Sequence, residues 1–358
     1  MERMGLVGLP NSGKTSLFNA LTGRDAPVAS HPFTTTETST GIATLPDHRL
    51  DALATMSKSR KVVRSGVEMV DIAGLVAGSA TGEGLGNRFL GGLREVDALT
   101  LVLRSFEDPE ISGESDPLGS LQTLELELVL ADVASLEGQI DRRRKAARSD
   151  KSLLPEVEAM EQAIGILEGG TPLYRSESTE EQRASRRNLF LLTDKPVLAV
   201  VNIAEDQIGS ADTLVKPVAD ELAGKGAVLA VCVQLEAEAS KLSDEERAEM
   251  QEGFGLGEGA LARVARAAYH LLGRRTFLTT GDDESRAWSF REGSTAPQCA
   301  GVIHSDLQRG FIRAEVIHWD ELIEIGSWSG AKAVGKIRVE GSQYLVEDGD
   351  VLEIRFNV

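Results

Sequence analysis

Five short apolar runs stand out along the chain, at positions 4–7, 67–70, 98–103, 197–201 and 227–231. They are nearly continuous rather than alternating, as strands buried on both faces of a parallel sheet should be. Stretches of helical spacing lie between them, so the pattern predicts a doubly wound, mostly parallel α/β core. Residues 121–167 follow another rhythm. Leu126, Val129, Val133, Leu136 and Ile140 recur every three or four positions, as do Val157, Met160, Ile164 and Leu167. That pair of stripes predicts an antiparallel α-helical hairpin inserted into the α/β domain. Ser178 and Glu181 read as a capping box opening a further helix, and Pro196 precedes the fourth strand. Beyond residue 276 the runs shorten, at 276–278, 311–317, 343–346 and 351–356, around a helix starting near Thr295-Ala296-Pro297. With Glu347-Asp348-Gly349-Asp350 as a hairpin turn, this predicts a small β-grasp domain. The expected organisation is an α/β domain over 1–120 and 185–275, the hairpin over 121–184, and the β-grasp domain over 276–358.

The loop after the first strand carries chemistry. Gly8-Leu9-Pro10-Asn11-Ser12-Gly13-Lys14-Thr15 fits G-x-x-x-x-G-K-[ST]. In such a loop the glycines let backbone N–H groups turn onto the α- and β-phosphates, the lysine reaches the β/γ-phosphates, and the Thr hydroxyl ligates Mg²⁺. The N-terminus of the helix that follows adds its partial positive charge. Gly8, Asn11, Ser12, Gly13, Lys14, Thr15 and Ser16 are therefore the candidate phosphate-binding residues, with Lys14 also catalytic. Residues 30–41 are too polar and threonine-rich for a core element and read either as a solvated loop or as a switch segment. The phosphate loop before it favours the switch, with Thr35 as its Mg²⁺ ligand.

Asp71-Ile72-Ala73-Gly74 ends the second strand. Asp71 there can hold Mg²⁺ through its water shell, and the Gly74 peptide can donate an N–H to a γ-phosphate. Leu75 follows, where Ras-like enzymes place a water-orienting Gln, so intrinsic hydrolysis should be slow. The fourth strand delivers Asn202-Ile203-Ala204-Glu205. Guanine-binding proteins normally carry N-K-x-D at this place, and the Asp accepts from guanine N1–H and N2–H₂. Ile203 and Glu205 replace the Lys and the Asp, which moves the expected base away from guanine.

Composition narrows the setting. The net charge of −18 argues against DNA and against generic nucleic-acid binding, so any RNA contact needs a local patch. The dense basic cluster is Arg142, Arg143, Arg144 and Lys145, continuing to Arg148 and Lys151, at the tip of the predicted hairpin. It reads equally as a solvated helix end and as a phosphate contact. Over 276–358, 8 Lys/Arg face 14 Asp/Glu, so the last domain is no generic basic platform. No apolar run approaches the roughly 20 residues of a membrane span. Cys232 and Cys299 read as buried small side chains without a disulfide, which suits a reducing cytoplasm. His304 and His318 lack metal partners at useful spacing and read as structural or surface residues.

Together the motifs resemble the YchF-type, Obg-like ATPases over nearly the whole chain. The resemblance rests on 8–16, Pro32-Phe33-Thr34-Thr35, Asp71 to Gly78, and Gly82-Glu83-Gly84-Leu85-Gly86-Asn87. It continues through Asn202 to Glu205, Arg286-Ala287-Trp288, Thr295 to Gln298, 310–317 and 347–358. It implies a G domain, an inserted helical hairpin and a C-terminal TGS domain. It also implies a preference for ATP linked to Asn202, Ile203 and Glu205, a hydrophobic residue at Leu75 in place of the catalytic Gln, and potassium-assisted hydrolysis through Asn11. The implied partner is the ribosome, with a role in translation or stress responses; the reading takes the chain as a cytoplasmic monomer. Two departures mark this sequence. Bacterial relatives commonly place a His in the loop where this chain has 108–115 without one, and they usually have Val where it has Ser12. The alternative expectation is a non-catalytic or GTP-using ribosome-binding module in which nucleotide only gates conformation.

Overall fold

A computed structural model describes residues 2–24, 38–72, 85–108, 115–253 and 258–357, and the structural statements below refer to these. The chain forms two compact units, Met1–Ala43 with Glu68–Ala268, and Thr44–Val67 with Tyr269–Val358.

In the first unit the five apolar runs all become strands. These are β1 (Arg3–Gly8), β4 (Gly66–Asp71), β5 (Ala98–Arg104), β6 (Val197–Asn202) and β7 (Gly226–Val231). With β2 (Ser39–Thr44) they give the order β2-β4-β1-β5-β6-β7, and β4-β1, β1-β5, β5-β6 and β6-β7 all pair in parallel. All seven residues of β5 and all six of β6 are buried, which explains their unbroken apolar sequence. β2 alternates instead, with Gly41 and Ala43 inward and Thr40, Ile42 and Thr44 outward. It starts at Ser39, inside the stretch expected to be loop, because a half-buried strand needs only every second residue to be small or apolar.

The hairpin is α4 (Pro117–Ser149) against α5 (Leu154–Glu168). Val129, Leu136 and Ile140 pack with Met160, Ala163 and Leu167 in a core of their own. The structure differs from the expected boundary at 121, because the first part of α4 covers the sheet. Leu121, Leu124 and Leu128 sit in the sheet core with Leu192, Val197 and Val201. One helical turn further on, the buried Asp132 carboxylate accepts from Leu192 N (2.9 Å), Thr193 N (2.8 Å) and Thr193 Oγ1 (2.7 Å). That pins the hairpin root to the chain entering β6. The capping box falls on Thr179 and Gln182 rather than Ser178 and Glu181. Gln182 N donates to Thr179 Oγ1 at 3.2 Å and Thr179 N to Gln182 Oε1 at 2.9 Å.

The second unit is built on β8 (Arg274–Thr279), β9 (Glu284–Arg291), β10 (Phe311–His318), β11 (Arg338–Glu340) and β12 (Asp350–Phe356). Its sixth strand, β3 (Lys61–Val63), comes from between β2 and β4 and completes the order β11-β10-β12-β8-β9-β3. The helix α2 (His48–Ser57) comes with it. Leu50 and Leu53 are fully buried among Leu278, Ile317, Leu322 and Val351. The opposite face holds Phe277, Phe290, Cys299, Val316 and Leu352. Residues 44–67 therefore group with the C-terminal sequence. The expected strand at 343–346 reduces to one bridge, Thr295 to Leu345. There the chain turns, with Tyr344 N bonded to Gly341 O at 3.2 Å, and Tyr344 Oη instead donates to Asp350 at 2.7 Å.

Candidate functional site

Sheet order places the phosphate loop. β1 lies between β4 and β5, so the crossovers leave β1 in opposite directions and open a crevice at its carboxyl end. The loop turns there on Ser12 N–H to Leu9 O (3.2 Å), and Asn11 takes a left-handed φ of 64°. Two glycines are required by contact. A Cβ on Gly8 would strike Ser12 Oγ and come within 2.8 Å of Val102 O; on Gly13, at φ 87°, it would strike Asn202 Nδ2. Gly13 caps α1 (Lys14–Thr22) without a side chain, so the first N–H groups of the helix have no side-chain acceptor and suit an anion. Ser16 lies in that first turn.

Asp71 ends β4 opposite Leu6 of β1 and is fully buried. One carboxylate oxygen bonds the Lys14 ammonium and the other accepts from Thr15 Oγ1 at 2.9 Å. The structure thus brings Asp71 against Lys14 and Thr15, which precede it by more than fifty positions. A hydroxyl beside a carboxylate is a hard oxygen pair of the kind Mg²⁺ takes alongside substrate phosphates and water. Thr35, Gly74 and Leu75 lie outside the described residues.

Asn202 ends β6 and acts as a clamp. Its Nδ2 donates to Ser12 O at 3.0 Å and its Oδ1 accepts from Val233 N at 3.2 Å. Ile203 is buried, with its N–H on Val231 O at 3.0 Å. Glu205 is exposed and opens a short 3₁₀ turn, Glu205–Ser210. Gln207 in that turn donates to Ser105 O at 3.2 Å. Burial first, then the nearby carboxylates of Glu205 and Glu236, push the Cys232 thiol up, so it stays neutral.

Three participants escaped the sequence reading. Cys232 and Val233 follow β7, and the Val233 N–H holds the far side of Asn202; their place at a strand's carboxyl end was the available signal. Arg104, buried opposite Asn202 in the β5-β6 pairing, stacks on Phe106 at 4.7 Å and donates to Phe106 O at 3.0 Å. No pattern announced that stack.

Ser12 Oγ is buried with no hydrogen-bond partner among the described residues. Such a hydroxyl costs about 1–3 kcal/mol. Ser12→Ala should therefore raise the denaturant midpoint, by an amount worth about 1 kcal/mol, and leave nucleotide affinity unchanged. A lowered midpoint would show that the hydroxyl has a role.

The basic cluster divides in two. Arg143 pairs with Glu156 at 3.1 Å, and Arg144 with Glu161 at 2.9 Å and Asp141 at 3.4 Å. Arg142 and Lys145 are exposed and have no acidic partner among the described residues.

Strand order and crevice define a P-loop nucleotide-binding protein of the G-domain class. A sequence model described as 50S ribosome-binding GTPase matches residues 3–131. A second, for the C-terminal region of YchF GTPases and described as a protein of unknown function, matches 275–357. The chain is 43% identical over 361 residues to the ribosome-binding ATPase YchF of Bacillus subtilis, covering 99% of each. It is 42% identical to that of Escherichia coli O157:H7, again covering 99% of each. It belongs to the YchF family. The Schizosaccharomyces pombe YchF GTPase superposes with a TM-score of 0.86 at 30% identity, over 99% of this chain and 97% of that one. A GTP binding protein of Pyrococcus horikoshii shares the fold, with a TM-score of 0.61 at 20% identity over the full length of both.

Proposed function

We propose that this protein binds and slowly hydrolyses ATP with Mg²⁺, and associates with the ribosome as a nucleotide-controlled switch. The observation that carries the reading is the joining of Lys14, Thr15 and Asp71 at the end of β1, beside an Asn202 strand end that lacks the guanine-selecting pair. The loop N–H groups hold the phosphates. Lys14 neutralises charge developing on the transferred phosphoryl group. Thr15, Asp71 and Thr35 would hold Mg²⁺, which offsets further charge when bound. Water is the acceptor, and Leu75 cannot orient it, so turnover is slow. The ribosome enters through the relatives' names, and the hairpin tip is its assigned contact.

Base preference follows from the first and third positions after the clamp, Ile203 and Glu205. A buried Ile203 offers an apolar surface, and the Glu205 carboxylate is one methylene too long for the bidentate guanine contact. Calorimetric titration with Mg²⁺ should give tighter binding for ATP than for GTP. Ile203→Lys with Glu205→Asp should move the ratio towards GTP by about tenfold, or ~1.4 kcal/mol. A clear GTP preference in the unaltered chain would sink the assignment.

A further inference from the structure

We propose that four outward cations at the hairpin tip, Arg142, Lys145, Arg148 and Lys151, form a docking surface for the phosphate backbone of ribosomal RNA. The proposal rests on the ribosome-binding reading and refines it to particular side chains and one partner chemistry.

The four recur every third position along the last turns of α4 and into the short turn that follows. On a helix, a three-residue step advances about 4.5 Å and drifts about 60° round the axis, so Arg142, Lys145 and Arg148 span about 120° of the helix surface with Lys145 between the other two. All four are exposed, and none has an acidic partner among the described residues. The intervening arginines behave differently. Arg143 is half-buried on Glu156, and Arg144 is held by Glu161 of α5 and by Asp141. Those two tie the hairpin together. Asp150 is also occupied, accepting from Ser152 N at 3.0 Å and Ser152 Oγ at 2.6 Å. Over residues 141–156 six Lys/Arg face three Asp/Glu, a net +3 within a chain of −18. A polyanion is repelled by most of this molecule and attracted here.

Phosphates fit the surface better than a protein partner does. Between the four cations lie only Arg143, Arg144, two alanines, Ser149 and Asp150; the nearest exposed large apolar residue, Leu154, begins the next helix. Protein interfaces depend on buried aromatic or aliphatic anchors, which this surface lacks. The position also suits docking. Ala131 is the last α4 residue in the sheet core, and at 1.5 Å per residue Arg148 stands roughly 25 Å beyond it. The tip can therefore enter a groove while the nucleotide unit stays outside.

The test is co-sedimentation with ribosomes, and binding to deproteinised ribosomal RNA, across a salt series with ATP and Mg²⁺ present. The unaltered protein should bind both, with log K falling on log salt with a slope of about −3 for four phosphate contacts. Changing Arg142, Lys145, Arg148 and Lys151 together to alanine should flatten that slope and weaken binding at least tenfold at low salt, with the denaturant midpoint and ATP affinity unchanged. Arg143→Ala with Arg144→Ala should keep the slope and lower the midpoint. Ribosome binding by the fourfold variant equal to that of the unaltered chain would overturn the docking surface and leave the ribosome reading standing. Loss of ribosome binding in that variant, with no binding of the unaltered protein to naked RNA, would overturn the RNA partner in favour of a ribosomal protein. No co-sedimentation of the unaltered protein would overturn the underlying reading together with the proposal.

Discussion

Lys14→Met should lower ATP turnover by at least about 10²-fold and also destabilise the fold, and the two losses should separate when Asp71 is changed with it. The ammonium and the carboxylate are both buried, with side-chain exposures of 7% and 0%. Removing one member of such a pair strands the other charge, at a cost of about 3–5 kcal/mol. The double variant Lys14→Met with Asp71→Asn strands neither. An amide at position 71 can still accept from Thr15 Oγ1, the second bond that Asp71 makes. Denaturant unfolding should therefore show a large loss for the single variant and substantial recovery for the double. Turnover should stay lost in both, because neither retains a cation for the phosphoryl group. Turnover near the original level in Lys14→Met would remove Lys14 from the mechanism. An unchanged midpoint would mean that the buried pair contributes nothing to stability.

The same pair shows how much of the site could be read in advance. The phosphate loop was legible because its spacing is dictated by a ligand, and the glycines at 8 and 13 prove to be the places where a Cβ cannot fit. Asp71 was legible as the end of an apolar run. That Lys14, Thr15 and Asp71 touch was not, since it depends on the β1-β4 register. The clamp made by Asn202 was read only as part of a base-recognition motif, whereas its side chain bridges the loop to Val233. Burial on both faces made the parallel strands plain. The edge strands β2, β3 and β11 hid for the opposite reason: an edge strand needs few apolar positions, and β3 and β11 each have only three residues. Both arginines that close the hairpin sit in one basic run with their unpaired neighbours. Only the packing of α5 distinguishes them.

The placement of residues 44–67 leads to the other large effect. The C-terminal family region begins at 275, yet the unit it belongs to takes a strand and a helix from far earlier in the chain. Leu50 and Leu53 fill its core, and Thr280 Oγ1 donates to Leu53 O at 3.2 Å. Ser59 Oγ donates to Gly281 O at 2.7 Å, and Arg60 N–H reaches Asp282 O at 3.0 Å. Arg49 bonds Asp348 at 2.6 Å, and that carboxylate's other oxygen accepts from Thr276 N at 2.7 Å. Losing two buried leucines costs about 2–5 kcal/mol each, against a typical domain stability of about 5–15 kcal/mol. A fragment comprising 269–358 alone should consequently show no cooperative melt by circular dichroism. Adding a peptide of residues 44–67 should restore one, and the same peptide carrying Leu50→Asp and Leu53→Asp should not. If the fragment alone melted as sharply and at the same temperature as in the intact chain, the early segment would be an accessory covering and not part of the fold. If the peptide is required, cutting the chain at the family boundary leaves a nucleotide-binding unit with an apolar helix it cannot bury. Low solubility of such a truncation would then come from α2 rather than from the nucleotide site.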